Sequence, residues 1–207
     1  NPRPRDVITY LVEVSDNNGF GGSQSARSQT LTITFPSLTE FLDQIEDREN
    51  DVTETLDEVS DSHREIRDSY ERFKEQLKEH PQGNWEQRQT LDAMKEQQQK
   101  LDQKVEELNR KFEEIRQELN ENSLMSGETL KAYSELQQLM KEIDDPELLR
   151  ALEELQNALG SMDQQQMREA MENFEFNEQK YQERIQRTIE LFKTLKLNSN
   201  LEKMAAA

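Results

Sequence analysis

From Ser37 onward, apolar residues recur at alternating steps of three and four through two long runs joined by one short turn. The first run holds Leu42, Ile45, Val52, Leu56, Val59, Ile66, Tyr70, Phe73 and Leu77, interrupted by Glu49 and His63. The second holds Leu91, Met94, Leu101, Val105, Leu108, Phe112, Ile115 and Leu119, interrupted by Gln98. Such a repeat keeps one apolar seam along a helix, and at this length it specifies coiled-coil packing. Between the runs, His80-Pro81-Gln82-Gly83 stops one helix and reverses the chain.

The two seams fit each other. If the chain folds back at the turn, residues whose numbers add to 164 stand opposite one another. Phe73 then meets Leu91, Tyr70 meets Met94, Val59 meets Val105, Leu56 meets Leu108, Val52 meets Phe112 and Ile45 meets Leu119. The polar positions do not pair among themselves: Glu49 faces Ile115, His63 faces Leu101 and Gln98 faces Ile66. Long side chains place such polar ends at the edge of a seam. At 1.5 Å per residue, an arm of about 40 residues reaches roughly 60 Å. Ser37 with Glu40 has the spacing of a capping box, and Asn84 with Gln87 starts the second arm in the same way. Outward-facing pairs at i,i+4, such as Glu96 with Lys100, Glu106 with Arg110 and Glu107 with Lys111, read as solvated faces.

Upstream the period is two. Residues 7–15 alternate, with Ile8, Tyr10, Val12 and Val14 on one face, and residues 29–35 alternate with Leu31, Ile33 and Phe35. The Gly-, Asn- and Ser-rich stretch 16–28 makes these two strands a hairpin with a long loop. Two strands are marginal alone, so the hairpin is expected to end a β-sandwich, with Tyr10 as a candidate corner tyrosine, or to pack on the helices.

Downstream, residues 120–127 break the repeat. A shorter helix near 128–143 carries Leu130, Tyr133, Leu136, Leu139, Met140 and Ile143. Asp145-Pro146 opens a helix with Leu148, Leu149, Leu152, Leu155 and Leu159, which stops at Gly160. Asp163 and Gln166 start a last long helix with Met167, Met171, Phe174, Tyr181, Ile185, Ile189, Phe192 and Leu195, expected to double back on the preceding one and to fray or break at Asn198-Ser199-Asn200. The fold class is therefore mainly α: an antiparallel coiled-coil hairpin plus C-terminal helices, with an N-terminal β-hairpin. The domain reading is 1–36, 37–123 and 124–207.

Composition narrows function. Hydrophobic residues are 32% and charged residues 34% of the 207. That suits two-sided helices rather than a globular core of this size. A net charge of −18 repels phosphate backbones and anionic membrane surfaces, so no nucleic-acid or membrane partner is expected. With no cysteine there is neither a disulfide nor a thiolate metal site. No segment approaches the roughly 18 apolar residues of a membrane span. The chain has no starting Met, and its ends, Asn1 and Ala205 to Ala207, read as cut from a longer protein.

Reactive constellations are missing. His63 lies on the seam and His80 before a proline; Ser62 beside His63 points elsewhere on the helix. A carboxylate-bridged di-iron bundle needs Glu three residues before His, where this chain has Ser60 and Leu77. Asp16-Asn17-Asn18-Gly19 has oxygen ligands but not the spaced acids of a calcium loop. No catalytic residue, cofactor or metal is expected. Met125, Met140, Met162, Met167 and Met171 are either core or an adaptable groove for a partner helix.

Two stretches together carry a family likeness. One joins Tyr10-Leu11-Val12-Glu13-Val14-Ser15-Asp16-Asn17, Ser25-Ala26-Arg27-Ser28 and Phe35-Pro36-Ser37-Leu38. The other joins Leu152-Glu153-Glu154-Leu155, Met167-Arg168-Glu169-Ala170 and Arg187-Thr188-Ile189-Glu190-Leu191-Phe192-Lys193. In that order they resemble a bacterial envelope family known as domain of unknown function 4175. The resemblance implies an immunoglobulin-like module before the coiled coil, a membrane-anchored parent and an extracytoplasmic location. The expected role is a non-catalytic helical spacer or scaffold of the cell envelope, or alternatively a chaperone-like, partner-binding helical module with an apolar groove. The protein partner is left open, and so is the choice between a monomeric rod and a swapped dimer, because the same seams serve both.

Overall fold

The computed structural model describes residues 6–16, 24–81, 83–121, 126–143, 146–161 and 163–206. Among the described residues four strands precede five helices: β1 Val7–Tyr10, β2 Glu13–Ser15, β3 Ser25–Arg27, β4 Leu31–Thr34, α1 Leu38–Glu79, α2 Trp85–Glu121, α3 Gly127–Ile143, α4 Glu147–Ser161 and α5 Gln164–Ala206. The chain divides into two compact units, Asn1–Asp47 and Arg48–Ala207.

In the first unit the expected hairpin forms as two ladders rather than one. β1 pairs antiparallel with β4, placing Ile8 opposite Ile33 and Tyr10 opposite Leu31. β2 pairs with β3, placing Val14 opposite Ala26 and Glu13 opposite Arg27. Two residues separate the ladders on one side and three on the other, the extra residue of a β-bulge. Ser28 holds this junction: its N–H donates to the Val12 carbonyl (2.8 Å), and its Oγ accepts from Val12 N–H (3.0 Å). The shift lets Glu13 meet Arg27 in an ion pair of 3.1 Å and gives Val14 a small neighbour instead of a cation. All strand residues are exposed, Ile8 to 44% and Tyr10 to 43%. Ser37 and Glu40 close the capping box, with Ser37 N–H donating to Glu40 Oε2 (2.7 Å) and Glu40 N–H to Ser37 Oγ (3.2 Å).

The second unit is an up-down-up-down four-helix bundle whose third arm is made of two helices. α2 runs antiparallel to α1, tied by Arg48–Glu118 (2.6 Å), Lys104–Glu58 (3.0 Å), Lys111 to Thr55 (2.9 Å) and Thr90 to Gln76 (3.1 Å). α3 and α4 follow one another antiparallel to α2, with contacts from Gln137 to Glu113, Lys95 to Glu153 and Gln156 to Asp92. α5 returns antiparallel to both, through Lys180–Glu147 (3.0 Å) and Arg184 to the Glu142 carbonyl. It also lies antiparallel to α1, through Lys74–Glu175 (3.0 Å) and Lys196 to Asn50 (2.6 Å). The third arm breaks where Pro146 stands, since proline cannot continue the hydrogen-bond ladder. The Arg150 N–H donates to the Pro146 carbonyl to begin α4, while Asp145, its expected cap, lies outside the described residues. α5 does not break at Asn198 to Asn200; all three are helical.

The core crosses between arms. Phe112 of α2 meets Phe192 of α5 edge-on at 5.2 Å, and Tyr70 of α1 meets Phe174 of α5 at 4.4 Å. Fully burying an aromatic or branched side chain of this kind contributes roughly 1.5–3 kcal/mol before conformational entropy is charged against it. Of the seam residues, Ile45, Val52, Leu56, Val59, Ile66, Tyr70 and Phe73 of α1 are buried, as is each α2 member from Leu91 to Leu119. Leu42 and Leu77 are half-buried.

The polar interruptions sit inside the bundle, not at a seam edge. Glu49 is fully buried, and its Oε1 accepts from the Tyr133 hydroxyl of α3 at 3.4 Å. Gln98 is buried and donates to Asp102 (2.7 Å). His63 is 4% exposed and stacks on Tyr181 of α5 at 5.3 Å. The hairpin is thus half of a bundle: Glu49 and His63 meet the other half, while Gln98 donates within α2.

Candidate functional site

Four helix ends converge at the α1–α2 turn. α1 stops before Pro81, and the His80 N–H donates to the Gln76 carbonyl. Gly83 takes φ of 76°, the left-handed region that favours glycine. A Cβ at this position would lie 3.0 Å from Leu159 Cδ1, so the turn rests directly on the end of α4. Asn84 and Gln87 cap α2 reciprocally: Gln87 N–H donates to Asn84 Oδ1 (2.9 Å), and Asn84 N–H donates to Gln87 Oε1 (2.7 Å). The remaining donors of Gln87, Nε2–H, reach back to the carbonyls of Gln76 (2.9 Å) and His80 (3.0 Å). One fully buried amide therefore caps α2 and ties it to the last turn of α1. The start of α5 is fixed alongside by Asp163, whose Oδ1 accepts from Gln165 N–H (2.8 Å).

Between these ends lies an open groove of about 250 Å³. Leu77, Pro81, Leu159, Met167 and Met171 supply apolar walls, and Asp163, Gln164 and Arg168 supply polar ones. The volume falls below the roughly 300–1,000 Å³ usual for small-molecule sites and suits one or two anchoring side chains. At the same turn Trp85, the chain's only tryptophan, is 74% exposed. Of the methionines named above, Met167 and Met171 line this groove, Met140 is buried in the core, and Met125 and Met162 lie outside the described residues.

The titratable groups inside the bundle hold helices together. His63 Nε2 lies 3.6 Å from Glu178 Oε1, too far for a hydrogen bond. Burial first, and Arg67 second, push the His63 pKa down to about 4. Burial raises that of Glu178, against the pull of Arg67. Burial also pushes the Tyr70 phenol above its usual range, helped by Glu175, which accepts from its hydroxyl at 3.2 Å. The Tyr133 phenol is raised by burial and by Glu49. Near the surface, the hydrogen bond from Lys180 lowers the pKa of Glu147.

His63 is therefore turned toward Tyr181, while the neighbouring Ser62 Oγ accepts from Lys104 (3.3 Å). The two do not form a nucleophile and base. Asp16 Oδ1 accepts from Gln24 N–H (2.8 Å), and residues 17–19 of the calcium-loop candidate lie outside the described residues. Among the described residues no group of three or more His, Cys, Asp or Glu side chains is placed to hold a metal ion, and no helix is long and apolar enough to cross a membrane.

Residues 44–125 match the family model described as WXG100, proteins of 100 residues with WXG. The match spans most of α1 and all of α2, less than half of the chain. This corrects the resemblance to domain of unknown function 4175: the model that matches is that of a helical-hairpin family of secreted, non-enzymatic proteins. The membrane-anchored envelope parent implied by the earlier resemblance loses its support with it. No curated protein and no solved structure matches the chain. The chain departs from the motif in the family's description. Trp85 stands at the hairpin turn, but position 87 carries glutamine, and a glycine lies two residues before Trp85 instead of two after it. Glycine at 87 would remove the amide that closes this turn.

Proposed function

We propose that this chain is a non-catalytic helical interaction module, in which α3, α4 and α5 close the α1–α2 hairpin and the turn at Trp85 presents a surface to a protein partner. The observation that carries this reading is the division of labour within the bundle. The apolar seam and its polar interruptions are used internally, whereas Trp85 and the neighbouring groove are left open at one end. Exposed tryptophan beside an apolar pocket is the usual composition of an interface hot spot.

Hairpins of the matched family typically form dimers. Here the second hairpin comes from the same chain, which favours a monomer over a swapped dimer. The secreted character of that family supports a location outside the cytoplasm. In this reading the seam residues from Leu42 to Leu119 act as scaffold, and residues 37–123 form the hairpin that carries the binding turn.

In-cell photo-cross-linking tests the reading. A photoreactive residue at position 85 should yield one discrete heavier adduct, and the same residue at exposed Glu114 should yield none. Absence of an adduct at 85, or the same adducts from both positions, refutes it and favours a pure spacer.

A further inference from the structure

We propose that the groove between α1, α4 and α5 seats the apolar face of a basic amphipathic helix from the partner protein. This rests on the interaction-module reading and specifies what such a module binds. Met167 and Met171 stand one helical turn apart on α5, and Leu77 of α1 and Leu159 of α4 line the same groove. That arrangement accepts side chains at i and i+4 of an incoming helix. Methionine walls adapt to the shape of such anchors.

Charge selects the partner. Glu75 and Glu79 of α1, Glu154 of α4 and Glu169 and Glu172 of α5 are exposed and stand within four residues, along their helices, of residues that line the groove. Against them stand Lys78, already paired with Glu75 at 2.7 Å, and Arg168 on the groove wall. A second copy of this chain would bring another net charge of −18 to the same place, and an acidic helix would meet the same repulsion. Lysine and arginine stems flanking an apolar stripe would instead cover the rim while their charges meet these carboxylates.

The test uses the full chain and two synthetic helical peptides. Both carry leucines at i, i+4 and i+7, one of them replaced by photo-leucine; the remaining face is lysine in one peptide and glutamate in the other. The lysine peptide should bind with 1:1 stoichiometry, at least about tenfold more tightly than the glutamate peptide. Its photo-adducts should map to Leu77, Leu159, Met167 or Met171. Met171→Arg should weaken binding by about tenfold or more without changing the melting curve. Equal binding of both peptides, adducts scattered over the acidic surface, unchanged binding by M171R, or no binding overturns the proposal. If M171R unfolds the bundle, adduct mapping on the unsubstituted chain decides. Failure here with the discrete adduct at position 85 retained refutes the groove and leaves the module; loss of both refutes both.

Discussion

The two halves of the bundle solve the same packing problem differently. The α1–α2 half consists of two unbroken arms of 42 and 37 residues with one regular seam. The other half pairs a single 43-residue helix with an arm made of 17- and 15-residue pieces. The regular half nevertheless contains the residues that cannot stand alone: Glu49, His63 and the Tyr70 hydroxyl. Each meets the irregular half, at Tyr133, at Tyr181 with Glu178, and at Glu175. Regular spacing gives a hairpin its register, and the places where it is broken show what must pack against it.

The largest effect should come from removing a residue shared by both halves. Phe112→Ala empties a fully buried site against Phe192, so urea unfolding should show a loss of about 3–5 kcal/mol. A loss below about 1 kcal/mol would mean that the halves pack weakly.

The next effect depends on pH. The folded protein holds His63 neutral, with a pKa of about 4 against 6.5 when unfolded. The unfolded chain therefore takes up the proton first. The stabilising contribution is complete above pH 6.5 and is lost as the pH falls toward 4, by about 3 kcal/mol in total. Glu178 acts in the opposite sense, because its raised pKa lets the folded form accept a proton more readily as the pH falls. Arg67 and Tyr181 complete the surroundings of His63. Replacing His63 by leucine should flatten the stability curve between pH 6.5 and 4; an unchanged slope would remove His63 as its source.

A smaller loss should follow Tyr133→Phe, which takes the phenol away from buried Glu49. Thermal melts should register about 1–2 kcal/mol. A double-mutant cycle with Glu49→Gln should show coupling if this contact joins the halves, and additivity if it does not.

Much of this was legible from spacing. The turn at His80 and both capping pairs follow from residue types at fixed offsets, because helix geometry repeats locally. Closure into four arms was not legible, since a seam of this period serves a two-stranded coil and a bundle alike. A signal was nonetheless present: Thr55, Ser69 and Thr188 stand beside seam positions and are buried, widening the apolar face beyond a two-stranded seam. The bulge at Ser28 was hidden because both strands alternate normally on either side of it. Trp85 and Gly83 lie at the turn, outside any periodic pattern, so the groove could be glimpsed only through Met167 and Met171.

One chain supplies all four arms in this bundle, and carbodiimide cross-linking of an equal mixture of ¹⁴N and ¹⁵N protein can show whether it does so in solution. This reagent joins contacting amines and carboxylates without a spacer. Lys74–Glu175, at 3.0 Å, and Lys95–Glu153, at 2.9 Å, span the two halves. Both cross-links should appear in peptides of a single isotope. Mixed-isotope peptides at these pairs would show that the second half comes from another molecule and would contradict the closed single-chain bundle.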